Sequence, residues 1–262
     1  MSTPLTSRFD RAAGTFGRYR ALPRGVPEVI RRAIWSATGK RSSARVLDLG
    51  AGTGRIGKAF VEANDSYVGV DVSLAMLREF LADSRTARLV QGSGQQLPLR
   101  DGAVDLVLLM QVLGGADDWR GLVNEACRVL APAGVIVVGH TNSPSTGVDA
   151  RLKRRLAAIL EEMGVASHQP RQSREQSLAW LELSATRRMH VIAASWSAEP
   201  TPREFLARHR TGARFSALPG AAQEEALQKL STWTQDTFGS LDVALTEERS
   251  FELDLFEFNA DG

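Results

Sequence analysis

The sequence predicts an α/β protein, with a mostly parallel sheet of seven strands and helices on both faces. Three observations lead there. Five short strand-like runs occur at 45–49, 66–71, 88–91, 104–110 and 134–139, and most are apolar on both faces, as in a doubly covered sheet. Stretches with apolar residues three and four apart separate them, the periodicity of helices. The first run stops at a glycine cluster, Gly50, Gly52 and Gly54, beyond which helical spacing resumes.

The elements follow in order. Val26, Val29, Ile30, Ala33, Ile34 and Ala37 share a face over 26–38, and Gly39 ends that helix. After the glycine turn, Ile56, Ala59, Phe60 and Ala63 form a second apolar stripe over 54–63. Leu74, Met76, Leu77, Phe80 and Leu81 form a third. Leu122, Ala126, Val129 and Leu130 form a fourth, stopped at Ala131-Pro132. Beyond Thr141 the rhythm changes. A helix is expected over about 147–163, a loop at 164–172, a helix near 173–184 and a sixth strand at 188–196. Further helices are expected between Pro200 and Gly239. Residues 250–258 alternate apolar and acidic, the pattern of a half-exposed strand near a sheet edge.

Composition excludes several function classes. The 262 residues carry a net charge of +2 and 43% hydrophobic residues, proportions of an ordinary globular chain. One cysteine, Cys127, excludes an internal disulfide and any thiolate-rich zinc or iron–sulfur site held by this chain alone. It lies on a helical apolar stripe and reads as core. No apolar run is long enough to span a membrane. A reducing, cytoplasmic setting is expected. The first 25 residues are rich in arginine and poor in acids, as transit peptides are, but no apolar signal core follows Met1. Charge is uneven: residues 1–45 hold ten Lys/Arg against two acids, and residues 224–262 the reverse. Arginine predominates over lysine along the whole chain. The basic end therefore reads as a solvated surface rather than a nucleic-acid contact.

The sharpest signal is VLDLGAGTGRIG at 46–57, a strand, a glycine turn and a helix start. The glycines let backbone approach a ligand, and the helix start offers free amides. Asp71 ends the second strand, where an acid can accept hydrogen bonds from both hydroxyls of a ribose. Gly52, Gly54 and Gly57 also satisfy the dinucleotide pattern G-x-G-x-x-G, so glycines alone do not discriminate. Asp48 does. A carboxylate just ahead of the turn repels a pyrophosphate and suits a ligand carrying an amino group.

The segments VLDLGAGTG, VGVDVSLAML, QGSGQQLPLRDGAVDLVLLMQVL and RVLAPAGVIVVG, in this order over 45–140, resemble the class I S-adenosylmethionine-dependent methyltransferases, in particular the bacterial type 11 group of small-molecule enzymes. The resemblance implies a Rossmann-like sheet with an antiparallel last strand and a helical cap between strands six and seven. It implies S-adenosylmethionine as cofactor. Asp48, Gly50, Ala51, Gly52, Thr53 and Gly54 would cradle the methionine portion. Asp71 would hold the ribose, and Val72 and Met76 would flank the adenine. Gly92, Ser93, Gly94 and Gln95 would border the adenine, although Ser93 stands where the family usually has an acid. Gln111 and Val112, after Met110, would face the methionine end or the acceptor. An N-terminal segment often lies over the cofactor in this family, which nominates Phe16, Tyr19 and Arg20.

The chemistry itself asks little of side chains. A sulfonium methyl is already activated, so alignment and exclusion of water dominate, and a base is needed only if the acceptor must lose a proton. His140, closing the fifth strand, is the candidate base. Trp196 and His209 are candidates for the acceptor pocket, while His190 and His168 read as structural. No metal-ligand spacing is present. The expected organisation is an N-terminal helical segment, 1–44, and a methyltransferase domain, 45–262, with cap elements at about 147–163 and 200–239. The expected partner is a small-molecule acceptor, with no nucleic acid and no membrane. Alternative functions are a non-catalytic S-adenosylmethionine-binding regulator, an RNA methyltransferase and, least favoured, a nicotinamide-dependent oxidoreductase.

Overall fold

The structure is a computed structural model that describes all residues except 1–6, 8, 11–12, 41, 117, 166–169, 211–214, 216–217 and 259–262. His168 therefore lies outside the described residues. Seven strands form one sheet: β1 (Val46–Leu49), β2 (Tyr67–Asp71), β3 (Leu89–Gln91), β4 (Val104–Met110), β5 (Leu130–Asn142), β6 (Arg187–Ala198) and β7 (Glu247–Glu257). Their order is β3-β2-β1-β4-β5-β7-β6. Every neighbouring pair from β3 to β5 is parallel, and β7 runs antiparallel to both β5 and β6. The predicted fold class is the observed one.

The helices are α1 (Ala13–Arg20), α2 (Val26–Thr38), α3 (Gly57–Glu62), α4 (Leu74–Asp83), α5 (Trp119–Val129), α6 (Val148–Glu162), α7 (Pro170–Ser184), α8 (Pro202–Arg210) and α9 (Gly220–Phe238). Local chemistry fixes their ends. Pro27 opens α2, and Gly39 closes it at φ 61°. Ser73 and Asp118 cap α4 and α5 through side-chain oxygens that accept the Met76 and Gly121 amides. The helix expected from residue 54 starts at Gly57, because the glycine turn occupies the intervening residues.

Two cores cover the two sheet faces. On one, Leu47, Val107, Ile136 and Phe256 meet Val123 and Ala126 of α5 and Leu181 of α7. On the other, Leu106, Val137, Leu253 and Leu255 meet Ile30 and Ile34 of α2, Phe60 of α3 and Phe80 of α4. Burial of such side chains supplies the main driving force, about 1.5–3 kcal/mol each. Arg31 of α2 adds a bidentate pair to the buried Asp65, at 2.5 and 2.7 Å, and Trp35 donates to the same carboxylate at 3.3 Å. This clamp ties α2 to the loop ahead of β2. Asp65→Ala is expected to lower the unfolding free energy by about 2 kcal/mol, read by urea denaturation, because it strands a half-buried guanidinium.

One expectation is corrected. The last strand does lie near a sheet edge, with β7 between β5 and the edge strand β6, but it is not half-exposed. Phe251, Leu253, Leu255 and Phe256 are all buried. The acids that alternate with them read as solvent-facing in the sequence, but they are satisfied inside the protein. Asp254 is buried and meets Arg188 at 3.1 Å and His190 Nδ1 at 3.2 Å. Glu252 accepts from Asn142 and Ser250, each at 2.8 Å.

A third, separate core joins α6, α8 and α9 through Leu152, Leu156, Phe205, Leu227 and Leu230. α6 leaves β5 and α8 leaves β6. Because β5 and β6 point the same way, both helices start from the carboxyl edge of the sheet, the edge that carries the glycine turn. Among the described residues, no helix is long and apolar enough to cross a membrane.

Candidate active site

β1 ends against the turn at Asp48, which is 2% exposed. Its Oδ2 accepts from the Tyr67 hydroxyl at 2.8 Å, while Oδ1 is buried with no protein partner. Burial pushes the Asp48 carboxyl up to about 7; the Tyr67 hydrogen bond opposes the shift and Asp71 adds to it. The Tyr67 hydroxyl is pushed up in turn, by burial and by Asp48. Thr53 Oγ1 is a second buried oxygen in the turn without a partner.

The three turn glycines all have positive φ: 77° at Gly50, 55° at Gly52 and 76° at Gly54. Their roles differ. A Cβ on Gly50 would sit 2.8 Å from Val112, and one on Gly54 would sit 2.5 Å from the Phe80 ring. These two are glycines because the protein packs against them. A Cβ on Gly52 would meet nothing closer than the Gly50 carbonyl, at 3.8 Å, so Gly52 borders open space. Ala51 and Thr53 between them are buried, and the Gly50 and Ala51 amides are bound to the Val70 carbonyl.

Asp71 faces this turn from the end of β2. Its carboxylate accepts the Gly52 amide at 2.9 Å and the Ser73 amide at 2.8 Å. Burial raises its pKa, against the pull of the Ser73, Gly52 and Val72 amides. Ser73, fully buried, also donates to Asp10 at 2.5 Å, which pins the N-terminal segment beside the end of β2. Val72 is half-buried and Met76 is buried at the start of α4.

Gly92, Ser93 and Gly94 follow β3 half-buried. Ser93 Oγ accepts the Gln95 amide at 3.2 Å, and the Gln95 side chain donates to the Asp118 carbonyl at 3.3 Å. Gln111 stands just beyond β4 at φ 60°, a strained conformation for this residue type. It accepts from Arg55 Nη1 at 2.6 Å and donates to Thr141 at 2.8 Å. Val112 packs against the turn at Gly50.

The remaining candidates divide into three groups. His140 turns toward β7 and β6: its Nε2 lies 3.6 Å from Glu252, and its Nδ1 is buried without a partner. Burial, and then Arg174, hold its pKa below the usual histidine range. Trp196 packs with the α2 core. Arg20 and His209 come together at the cap. His209 stacks on Phe205 with ring centroids 4.0 Å apart, and burial and then Arg208 depress it to about 3, so it is neutral. Arg20 lies over Phe16 at 5.1 Å, and Arg18 lies over Tyr19. Among the described residues no cluster of His, Cys, Asp and Glu could hold a metal ion.

Sequence reasoning missed Tyr67, Asp10, Arg55 and Asp149. Tyr67 reads as an ordinary strand aromatic, and nothing in its spacing shows that its hydroxyl lies under Asp48. Arg55 carries a weak signal, being the first residue after the glycine turn.

Residues 47–138 match the methyltransferase-domain family. The chain is 29% identical over 142 residues to the demethylmenaquinone methyltransferase of Streptomyces griseus, covering 54% of this chain and 62% of that protein. It is 26% identical over 227 residues to the malonyl-[acyl-carrier protein] O-methyltransferase of Pectobacterium atrosepticum, covering 82% and 88%. For two further relatives, from Methanocaldococcus jannaschii and a Mycobacterium, the matches span only 43% and 44% of the relative's length. Among solved structures, the YcgJ protein of Bacillus subtilis superposes with a TM-score of 0.55 at 18% identity, over 88% of this chain and 98% of that one, a likeness of fold.

Proposed function

We propose that this chain, whose residues 47–138 match the methyltransferase-domain family, is a class I S-adenosylmethionine-dependent methyltransferase that transfers a methyl group to a small-molecule acceptor. One observation carries the reading. The turn leaves an open space beside Gly52, whose amide is held by the Asp71 carboxylate, and the same turn region contains two buried oxygens without partners, Asp48 Oδ1 and Thr53 Oγ1. Buried polar atoms without partners are costly unless a ligand satisfies them. A ligand with an amino group at one end and a vicinal diol further along fits that set. A pyrophosphate would bring negative charge against Asp48 and Asp71.

S-adenosylmethionine, when bound, supplies an activated methyl group on a sulfonium. The chain's own part is placement. Asp48, Thr53 and the Gly50–Gly54 turn hold the amino-acid end, and Asp71 the ribose. Val72, Met76, Gly92, Ser93, Gly94 and Gln95 border the base, with Ser93 and Gln95 offering neutral hydrogen bonds where a carboxylate is usual. Gln111 and Val112 set the floor between cofactor and acceptor. The elements α6, α8 and α9 form the cap over the acceptor, with Phe16, Tyr19, Arg20, Trp196 and His209 as its proposed lining. His140, kept neutral, is the proposed base for an acceptor that must release a proton. The setting proposed is cytoplasmic.

Asp71→Ala is expected to weaken S-adenosylhomocysteine binding at least about tenfold, since it removes two charge-assisted contacts. Calorimetry reads this directly, and an unchanged affinity would take Asp71 out of the site. Transfer of labelled methyl from S-adenosylmethionine into a metabolite pool tests the activity. Tight binding without any transfer would favour the regulatory reading, and preference for NAD the oxidoreductase. Transfer to RNA with steep salt dependence would favour the nucleic-acid variant.

A further inference from the structure

The roof of the proposed site collects cations from four elements. Arg55 follows the glycine turn directly, and its guanidinium reaches Gln111 at the end of β4, at 2.6 Å. Its Nε is buried without a partner. Arg20 ends α1, Lys153 stands on α6, and Arg208 on α8. Asp149, in the first turn of α6 and 5% exposed, receives Arg208 at 2.5 Å and Arg249 at 3.2 Å through the same oxygen, Oδ2. Arg249 has its own carboxylate in Glu247, at 2.7 Å. Arg208, Arg249, Lys153 and Arg20 share the field of Asp149, whose Oδ1 makes no hydrogen bond.

The cations feel one another. Burial first, and then Arg208, bring Arg20 down to about 10; burial, and then Arg20 and Arg208, do the same to Arg55. Lys153 is lowered too, by burial, with Asp149 opposing and Arg208 and Arg20 adding to the shift. Cations gathered in a half-buried place favour an anion among them. The cluster runs from the mouth of the cofactor turn to the cap helix α8, which is where an acceptor would lie.

Resting on the methyltransferase reading above, we infer that the acceptor carries an oxyanion, a carboxylate or a phosphate, which Arg208 and Lys153 of the cap and Arg55 of the turn grip together. Guanidinium groups suit this work because they bind oxyanions through two parallel N–H groups. The cluster then selects acidic small molecules and orients their other end toward the methyl. The cofactor's own carboxylate is the rival source of the same chemistry, so the test is made with the cofactor position filled.

Protein saturated with S-adenosylhomocysteine is titrated calorimetrically with inorganic phosphate and with succinate, and with succinamide as the uncharged control. Binding of at least one of the two anions and not of succinamide is the expected result; the anion that binds names the oxyanion. Arg208→Gln is expected to weaken anion binding about tenfold, the loss of one charge-assisted contact. Lys153→Gln, at a residue of α6 outside the cap core, is expected to weaken it about threefold and keeps the test sound if Arg208→Gln unfolds. Both variants should hold S-adenosylhomocysteine within about twofold of the parent. Anion binding that is absent up to about 20 mM, or equal in parent and variants, would overturn the inference. So would a loss of S-adenosylhomocysteine affinity in the variants, which would hand the charge to the cofactor. Failure of S-adenosylhomocysteine to bind the parent would instead overturn the cofactor reading, and titration of the ligand-free protein would still read the cluster.

Discussion

Gly52→Val is expected to abolish S-adenosylhomocysteine binding, by at least about a hundredfold, in a protein that still folds. The three turn glycines show why this position separates the two effects. A side chain on Gly54 would drive into the Phe80 ring, and one on Gly50 into Val112, so variants there damage the protein before they report on a ligand. Gly52 has open space instead, with its amide still tied to Asp71 at 2.9 Å. The two methyl groups of valine would occupy that space. At φ 55° a β-branched residue is also strained, by about 1–2 kcal/mol or more, a tolerable loss for a domain of this size. A hundredfold loss corresponds to about 2.7 kcal/mol, small against the steric overlap expected. Calorimetry and a urea melt, run together, give the answer. A variant that binds normally would mean that the ligand approaches the sheet elsewhere.

The contrast between Gly52 and its neighbours also marks where the sequence stops being legible. The pattern at 46–57 announced a glycine turn between strand and helix because strand, glycines and helix start are all local features. The parallel sheet was legible for the same reason: each strand carries its own apolar run and each helix its own stripe. The burial of β7 was not. Its alternation of Phe and Leu with acids describes a half-wet strand unless the partners of those acids are known, and Arg188, His190 and Asn142 face them from the neighbouring strands, with Ser250 alone local. The basic cluster was hidden in the same way. Arg20, Arg55, Lys153 and Arg208 are far apart in sequence, and although Arg20 is nominated by the resemblance and Arg55 lies in the glycine motif, no local pattern groups the four. Only the antiparallel return of β7, which puts α8 and α9 against α6, brings them to one roof. Local periodicity thus yields elements, and the sites built by long-range pairing have to be read from the fold.

Asp48→Asn should reveal a conflict between stability and binding at the centre of the site. In the unfolded chain Asp48 titrates near 3.8; folded, burial raises it to about 7. Between those values the folded protein holds a proton that the unfolded chain has released. The stability this contributes is full below the unfolded value and is lost as pH rises through the folded one. Above it, the protein carries an ionised, buried carboxylate with one oxygen bound to Tyr67 and the other to nothing. Asparagine cannot ionise, so the variant should gain on the parent by about 2–3 kcal/mol between pH 5 and pH 8, at about 1.4 kcal/mol per unit of pKa difference. Urea melts at the two pH values measure this, and equal slopes for parent and variant would show that Asp48 is ionised throughout. Binding should move the other way. A ligand ammonium beside Asp48 favours its charged form, so at pH 6 the parent should release a proton when S-adenosylhomocysteine binds, seen as a binding enthalpy that changes with the ionisation enthalpy of the buffer. The variant should bind at least about tenfold more weakly and release none. The carboxylate that makes the empty turn less stable at neutral pH is then the group that makes it specific for an amino-acid head.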